Sequence, residues 1–166
     1  MKFFLIILTL VLFPALVTAK ELGYGKTEWG MNPHQVVIAE TGKAQTIEPK
    51  EYTGGLGKVR IDNVKIDGST YTATFVFDES DQLIATYLVS NEKKNAGITN
   101  LEFNSLNKLL TQKYGNPQFR SSDTVTWKTS STTIELKKII INSISYANAT
   151  VSYTPNNKAK DDASNL

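Results

Sequence analysis

Tyr71-Thr72-Ala73-Thr74-Phe75-Val76-Phe77 decides the fold. Tyr71, Ala73, Phe75 and Phe77 take four successive odd positions against Thr72 and Thr74, the two-residue period of a strand with one apolar face. Asp67-Gly68 before the run is a hairpin-turn signal, and Asp78-Glu79-Ser80-Asp81 after it is a second turn. Upstream, Val59 and Ile61 share one parity while Val64 and Ile66 take the other, which predicts a bulge at Asp62-Asn63. Downstream, Leu83, Ala85, Tyr87 and Val89 alternate and are expected on one face. Three strands joined by short turns make an antiparallel meander with a face aromatic enough to carry a core.

Two helices share one start grammar. In Met31-Asn32-Pro33-His34-Gln35-Val36, Asn32 is the expected N-cap, Pro33 the first helical residue and Gln35 the partner in a capping box, with Met31 and Val36 as a hydrophobic staple. This helix is expected to be short, from Pro33 to about Glu40, and to stop at Gly42. In Ile98-Thr99-Asn100-Leu101-Glu102-Phe103, Thr99 is the expected cap, Glu102 its box partner, and Ile98 and Phe103 the staple. Phe103, Leu106, Leu109, Leu110 and Tyr114 then recur at helical spacing until Gly115-Asn116-Pro117 ends the element.

Residues 41–57 are polar and carry Gly54-Gly55-Leu56-Gly57, which reads as a mobile loop because the spacing and the terminal Lys-Ser/Thr of a phosphate loop are missing. Glu92-Lys93-Lys94-Asn95 reads as an exposed polar link. After the second helix, strands are expected at Thr124–Lys128, Thr132–Lys138 and about Thr150–Thr154, while Ile139-Ile140-Ile141 has no assignable phase. From Pro155 to Leu166 nothing apolar recurs, the mark of a frayed tail. The expected fold is therefore α+β: a two-layer sandwich of mainly antiparallel sheet with two helices on one face, in the order α-β-β-β-α-β-β-β, over residues 20–154. The repetition of helix then three strands admits an internal duplication.

Composition sets the remaining limits. The chain has 166 residues, 18 Lys plus Arg against 16 Asp plus Glu, one His and no Cys. Disulfides, thiolate metal sites, a cysteine nucleophile and a lipidated cysteine are excluded. A net charge of +2 is too weak for a nucleic-acid surface, so no nucleic-acid partner is expected. Met1-Lys2 precedes an apolar run from Phe3 to Val17, and Val17-Thr18-Ala19 supplies a small-residue cleavage site. Residues 1–19 thus read as a signal peptide cleaved before Lys20, leaving no stable membrane anchor, because the run is shorter than the about 20 residues that span hydrocarbon. An exported domain without Cys fits a bacterial periplasm, with secretion from the bacterium as the alternative.

Tyr24-Gly25-Lys26-Thr27-Glu28-Trp29-Gly30-Met31 with Gln35-Val36, Phe75-Val76-Phe77-Asp78 with Leu83, Leu106 through Lys113-Tyr114-Gly115-Asn116-Pro117, and Trp127 before Thr133-Ile134-Glu135-Leu136 resemble a group of small exported bacterial proteins of unknown function. The Trp-Gly-Met-x-x-x-Gln-Val start and the Lys-Tyr-Gly-x-Pro motif carry that likeness, which spans about residues 22–154. The helix-then-hairpin units are also similar to those of the outer-membrane assembly lipoprotein BamE and of the β-lactamase inhibitory protein. The resemblance implies a protein-binding scaffold. No residue role carries over, since Lys20 stands where BamE would have its lipid-bearing Cys and no disulfide is possible.

No catalytic, cofactor-binding or metal-ligating residue emerges. His34 is alone at an exposed first-turn position, no Ser sits in a Gly-x-Ser-x-Gly elbow, and Asp62, Asp78, Asp81 and Glu102 all have turn or cap roles. Counted from Asp78, the calcium-loop pattern lacks its sixth-position Gly and twelfth-position Glu. The expected function is non-enzymatic binding of another envelope protein, with no cofactor. Carriage of a small hydrophobic or amphipathic ligand between helices and sheet is the alternative, and a carboxylate-based hydrolase the remote one. The oligomeric state is left open.

Overall fold

The computed structural model describes residues 22–92 and 94–156. The expected signal peptide and residues 157–166 of the expected tail lie outside the described residues. In chain order the elements are α1 (Pro33–Ala39), β1 (Ala44–Tyr52), β2 (Gly55–Ile66), β3 (Ser69–Phe77), β4 (Leu83–Ser90), α2 (Ala96–Tyr114), β5 (Phe119–Arg120), β6 (Thr124–Lys128), β7 (Thr132–Ile141), a single 3-10 turn (Asn142–Ile144) and β8 (Tyr146–Pro155). The strands form one eight-stranded antiparallel sheet in the order β1-β2-β3-β4-β8-β7-β6-β5. An α+β fold of antiparallel sheet with two helices is therefore present, with four strands after each helix rather than three.

That order reads the same from both ends. Each half is a helix followed by a four-stranded meander, and the last strands, β4 and β8, pair at the centre. The topology accordingly repeats across a pseudo-twofold between β4 and β8. One continuous core joins Val36 of α1 and Phe103, Leu106 and Leu110 of α2 to Val59, Ile61, Phe75, Phe77, Trp127, Ile134, Leu136 and Val151 of the sheet.

Several local expectations hold. Asn32 accepts from the Gln35 N–H at 3.0 Å while the Gln35 side chain accepts from the Asn32 N–H at 2.9 Å, closing the capping box of α1. The β2–β3 register shifts between Ile61 and Val64, with Asn63 at φ 57°, so Val59 and Ile61 stay buried while Val64 and Ile66 still reach the core. Phe75 and Trp127 are buried as their parity requires.

Beyond the strand count, four expectations are corrected. Residues 41–57 are not a mobile loop: β1 and the start of β2 form a hairpin there, with Gln45↔Arg60 and Lys50↔Gly57 among the pairs. Glycine serves close approach in it. A Cβ on Gly55 would lie 2.2 Å from the Phe77 carbonyl oxygen, and one on Gly57 would lie 2.8 Å from the Tyr52 ring.

The face of β4 changes partway. Phe77↔Leu83 and Val76↔Ala85 leave Ile84 unpaired in the register, and since paired residues share a face, Leu83 and Leu88 point at the helices while Ala85, Tyr87 and Val89 point away. Tyr52 stacks on Tyr87 across that far face, ring centroids 5.5 Å apart.

The third correction concerns α2, which begins one turn early. Asn95 is its cap, accepting from the Ile98 N–H at 2.9 Å, and Thr99 is a fully buried residue inside the first turn. Asn95→Ala is expected to cost about 0.5–2 kcal/mol. Thr99→Val removes a buried hydroxyl that has no partner and is expected to leave stability unchanged or raised. Urea unfolding of the two variants checks this; a larger loss at Thr99 would return the cap to it.

Last, the tail starts later than Pro155. Pro155 pairs with Thr132 at the end of β8, and the Asn156 N–H donates to the Ser131 carbonyl at 2.9 Å.

Candidate functional site

The phase of Ile139-Ile140-Ile141 is set by β8. Ile139 pairs with Asn148, Ile140 with Ala147 and Ile141 with Tyr146. The last β6–β7 pair is Thr124↔Lys137 and the last β4–β8 pair is Val89↔Thr150, so residues 138–141 and 146–149 pair only with each other, apart from a bond from the Lys138 N–H to the Asp123 carbonyl. The two strands overhang the sheet and turn through Asn142–Ile144, with Ser145 in the left-handed region at φ 51°.

The overhang is apolar and exposed. Ile139 is 43% exposed, Ile141 42%, Ile144 68% and Tyr146 44%. By alternation from Ile134 and Leu136, Ile140 is on the helix side, while Ile139 and Ile141 are on the far side. No residue between Ile139 and Asn157 carries a charge, so Asn amides and the hydroxyls of Ser and Tyr146 supply the side-chain polarity of the tip.

Behind the overhang sits a buried ion pair. Lys94 Nζ lies 2.6 Å from Glu102 Oε1, and the two side chains are 4% and 5% exposed. The Tyr71 hydroxyl donates to the same carboxylate oxygen, and Lys94 also donates to Ser69 Oγ at 3.3 Å. Burial, and then the hydrogen bond to Glu102, push the Tyr71 phenol well above its ordinary range and keep it protonated. The cluster ties the first turns of α2 to β3. Lys94 also borders a cleft of about 300 Å³ whose other wall is the overhang, at Ile140, Asn142 and Tyr146.

Lys94 was legible only as part of an exposed polar link and Glu102 only as a cap partner, and the structure places both in the interior. No side chain within one turn signals that pairing. Tyr71, 31 residues from Glu102 in sequence, completes it.

The other acids stay apart. Asp62 accepts from Gln45 Nε2 at 2.6 Å and Arg60 Nε at 3.1 Å, Asp78 accepts from the Ser80 and Gln82 N–H groups at 2.9 Å, and Asp81 pairs with Lys58. His34 is exposed on α1, and the Trp29 indole donates to Thr132 Oγ1 at 2.9 Å while its ring packs on the core. Among the described residues no group of three His, Asp or Glu is placed to hold a metal ion.

No curated protein and no solved structure matches the chain. The family model described as the TP0088 domain matches residues 23–163, a span that begins at the strap before α1 and runs past β8. With nearly the whole fold inside that match, the chain belongs to the TP0088 domain family of uncharacterised bacterial proteins.

Proposed function

We propose that this is an exported, non-enzymatic protein of the bacterial envelope that binds another envelope protein through the β7–β8 overhang. The observation that carries the reading is an exposed, uncharged hairpin tip bearing Ile139, Ile141, Ile144 and Tyr146 beyond the edge of its own sheet. Interface cores are depleted of charge and enriched in aromatic and large apolar side chains, with amides and hydroxyls supplying hydrogen bonds at the rim. The partner that fits is a protein with an uncharged apolar groove. An anionic lipid surface would call for cations on the tip itself, which has none.

Support for the non-enzymatic part comes from the four acids considered for catalysis, Asp62, Asp78, Asp81 and Glu102, each engaged in a turn, strand or core bond of its own.

A photo-crosslinking residue placed at Ile144 in the native envelope tests the proposal, with the same residue at Ile38 on α1 as control. The expected result is one protein adduct from position 144, carrying a chain that begins at Lys20. The partner, once identified and purified, should bind the wild type and lose at least about tenfold in affinity for Ile141→Asp. Equal adducts from both positions, or a purified partner indifferent to Ile141→Asp, overturns it.

A further inference from the structure

A separate cleft lies between the end of α1 and the bulge of β2 and has a volume of about 490 Å³. Its lining is strongly differentiated. Glu40, the C-cap residue of α1, borders it although the residue is only 4% exposed. One carboxylate oxygen accepts from the Lys26 N–H, and the other takes no hydrogen bond among the described residues. The carboxylate lies so close to the strap before α1 that a Cβ on Gly25 would fall 2.2 Å from it, and Gly25 itself adopts φ 65°.

Ile61, Val64 and the Tyr24 ring give the cleft an apolar wall. Burial, and then the Glu40 charge, raise the Tyr24 pKa, so its hydroxyl stays a donor across the neutral range. At the rim stand Lys43 and Lys65, both exposed and without an ion-pair partner among the described residues. Asp62, also on the rim, is already occupied by Gln45 and Arg60.

We infer that this cleft binds a small zwitterion, a free amino acid or short peptide, whose ammonium meets Glu40 and whose carboxylate meets Lys43 and Lys65. The chemistry selects against the simpler ions. A polyamine would face two rim ammonium groups, and a plain anion would face a sheltered carboxylate. A dipolar ligand of opposite polarity satisfies both ends, and the apolar wall takes its side chain. The volume lies within the range of small-molecule sites. The inference is independent of the hairpin proposal, because the cleft shares no lining residue with the overhang.

The test uses the exported chain from Lys20 onward, titrated with L-alanyl-L-leucine and followed by amide resonances. Saturable shifts are expected at Gly25, Gly42 and Asn63. N-acetyl-L-alanyl-L-leucine and L-alanyl-L-leucine amide are each expected to bind at least about tenfold more weakly, as each removes one charge. Glu40→Gln should weaken binding of the parent dipeptide by a similar factor. Because that variant also disturbs the strap, Lys43→Ala with Lys65→Ala provides a second one on exposed positions, with a similar loss expected. Ile144→Asp should leave the titration unchanged. No saturable shift with the dipeptide or with free L-leucine, undiminished binding of the N-acetyl form, or shifts centred on the overhang would overturn the inference.

Discussion

Trp127→Ala is expected to lower the unfolding free energy by about 3–5 kcal/mol. Trp127 is 1% exposed near the end of β6, paired with the buried Ile134, so its truncation opens a large cavity in the layer between sheet and helices. Its indole N–H also donates to the Gly115 carbonyl at 3.1 Å, where α2 ends with Gly115 at φ 82°. One side chain thus fills the core and fastens the end of the longer helix. Trp127→Phe separates the roles: it keeps much of the packing, orphans the Gly115 carbonyl, and should cost about 1–3 kcal/mol. Urea denaturation followed by far-ultraviolet circular dichroism measures both. Since small domains are stable by only about 5–15 kcal/mol, an Ala variant as stable as the wild type would mean the site collapses without a cavity, contrary to the packing described.

Glu102→Leu should cost a comparable amount, about 3–5 kcal/mol, for a different reason. Removing the carboxylate leaves the Lys94 ammonium in a site where its side chain is 4% exposed, with Ser69 Oγ at 3.3 Å and the exposed Glu92 carboxylate at 3.7 Å as its remaining partners. The Tyr71 hydroxyl loses its acceptor as well. Breaking a buried pair from one side is costly because a charge is stranded; replacing both members with apolar residues removes the stranded charge. Lys94→Met combined with Glu102→Leu is therefore expected to recover most of the loss, and a double-mutant cycle in urea isolates the coupling. A double variant no better than the single would assign the cost to lost packing around Glu102 rather than to the ion pair.

The start of α1 was legible because Asn32, Pro33 and Gln35 lie within four residues, and every group in the capping box is supplied locally. The core face of β3 was legible because alternation over seven residues leaves one side apolar, and the bulge at Asp62-Asn63 showed as a break in parity between Ile61 and Val64. β1 was not. It is an edge strand in which Gln45, Glu48, Lys50 and Glu51 are exposed, and it is held by backbone bonds to β2 that impose no apolar period on the sequence. The start of α2 was misplaced for another reason: Thr99 and Glu102 have the spacing of a capping box, but both are buried against the sheet, and Asn95, one turn earlier, caps the helix instead.

The sequence by itself determined the α+β class of the fold, the capping of α1, the turns that flank β3, and the burial of Tyr71, Phe75, Phe77 and Trp127, because those properties depend on groups within one turn or one strand of each other. Tertiary structure decided the face of Ala85 and Tyr87, the phase of Ile139–Ile141 and the burial of Lys94. Each of these is settled by a partner far along the chain: Val76 and Thr74 across a bulged register, Tyr146 and Asn148 on the returning strand, Tyr71 and Glu102 around one ammonium. A run of three isoleucines or a lysine in a polar link reads the same whether it faces water or protein, until strand pairing brings up the surface that covers it or leaves it bare.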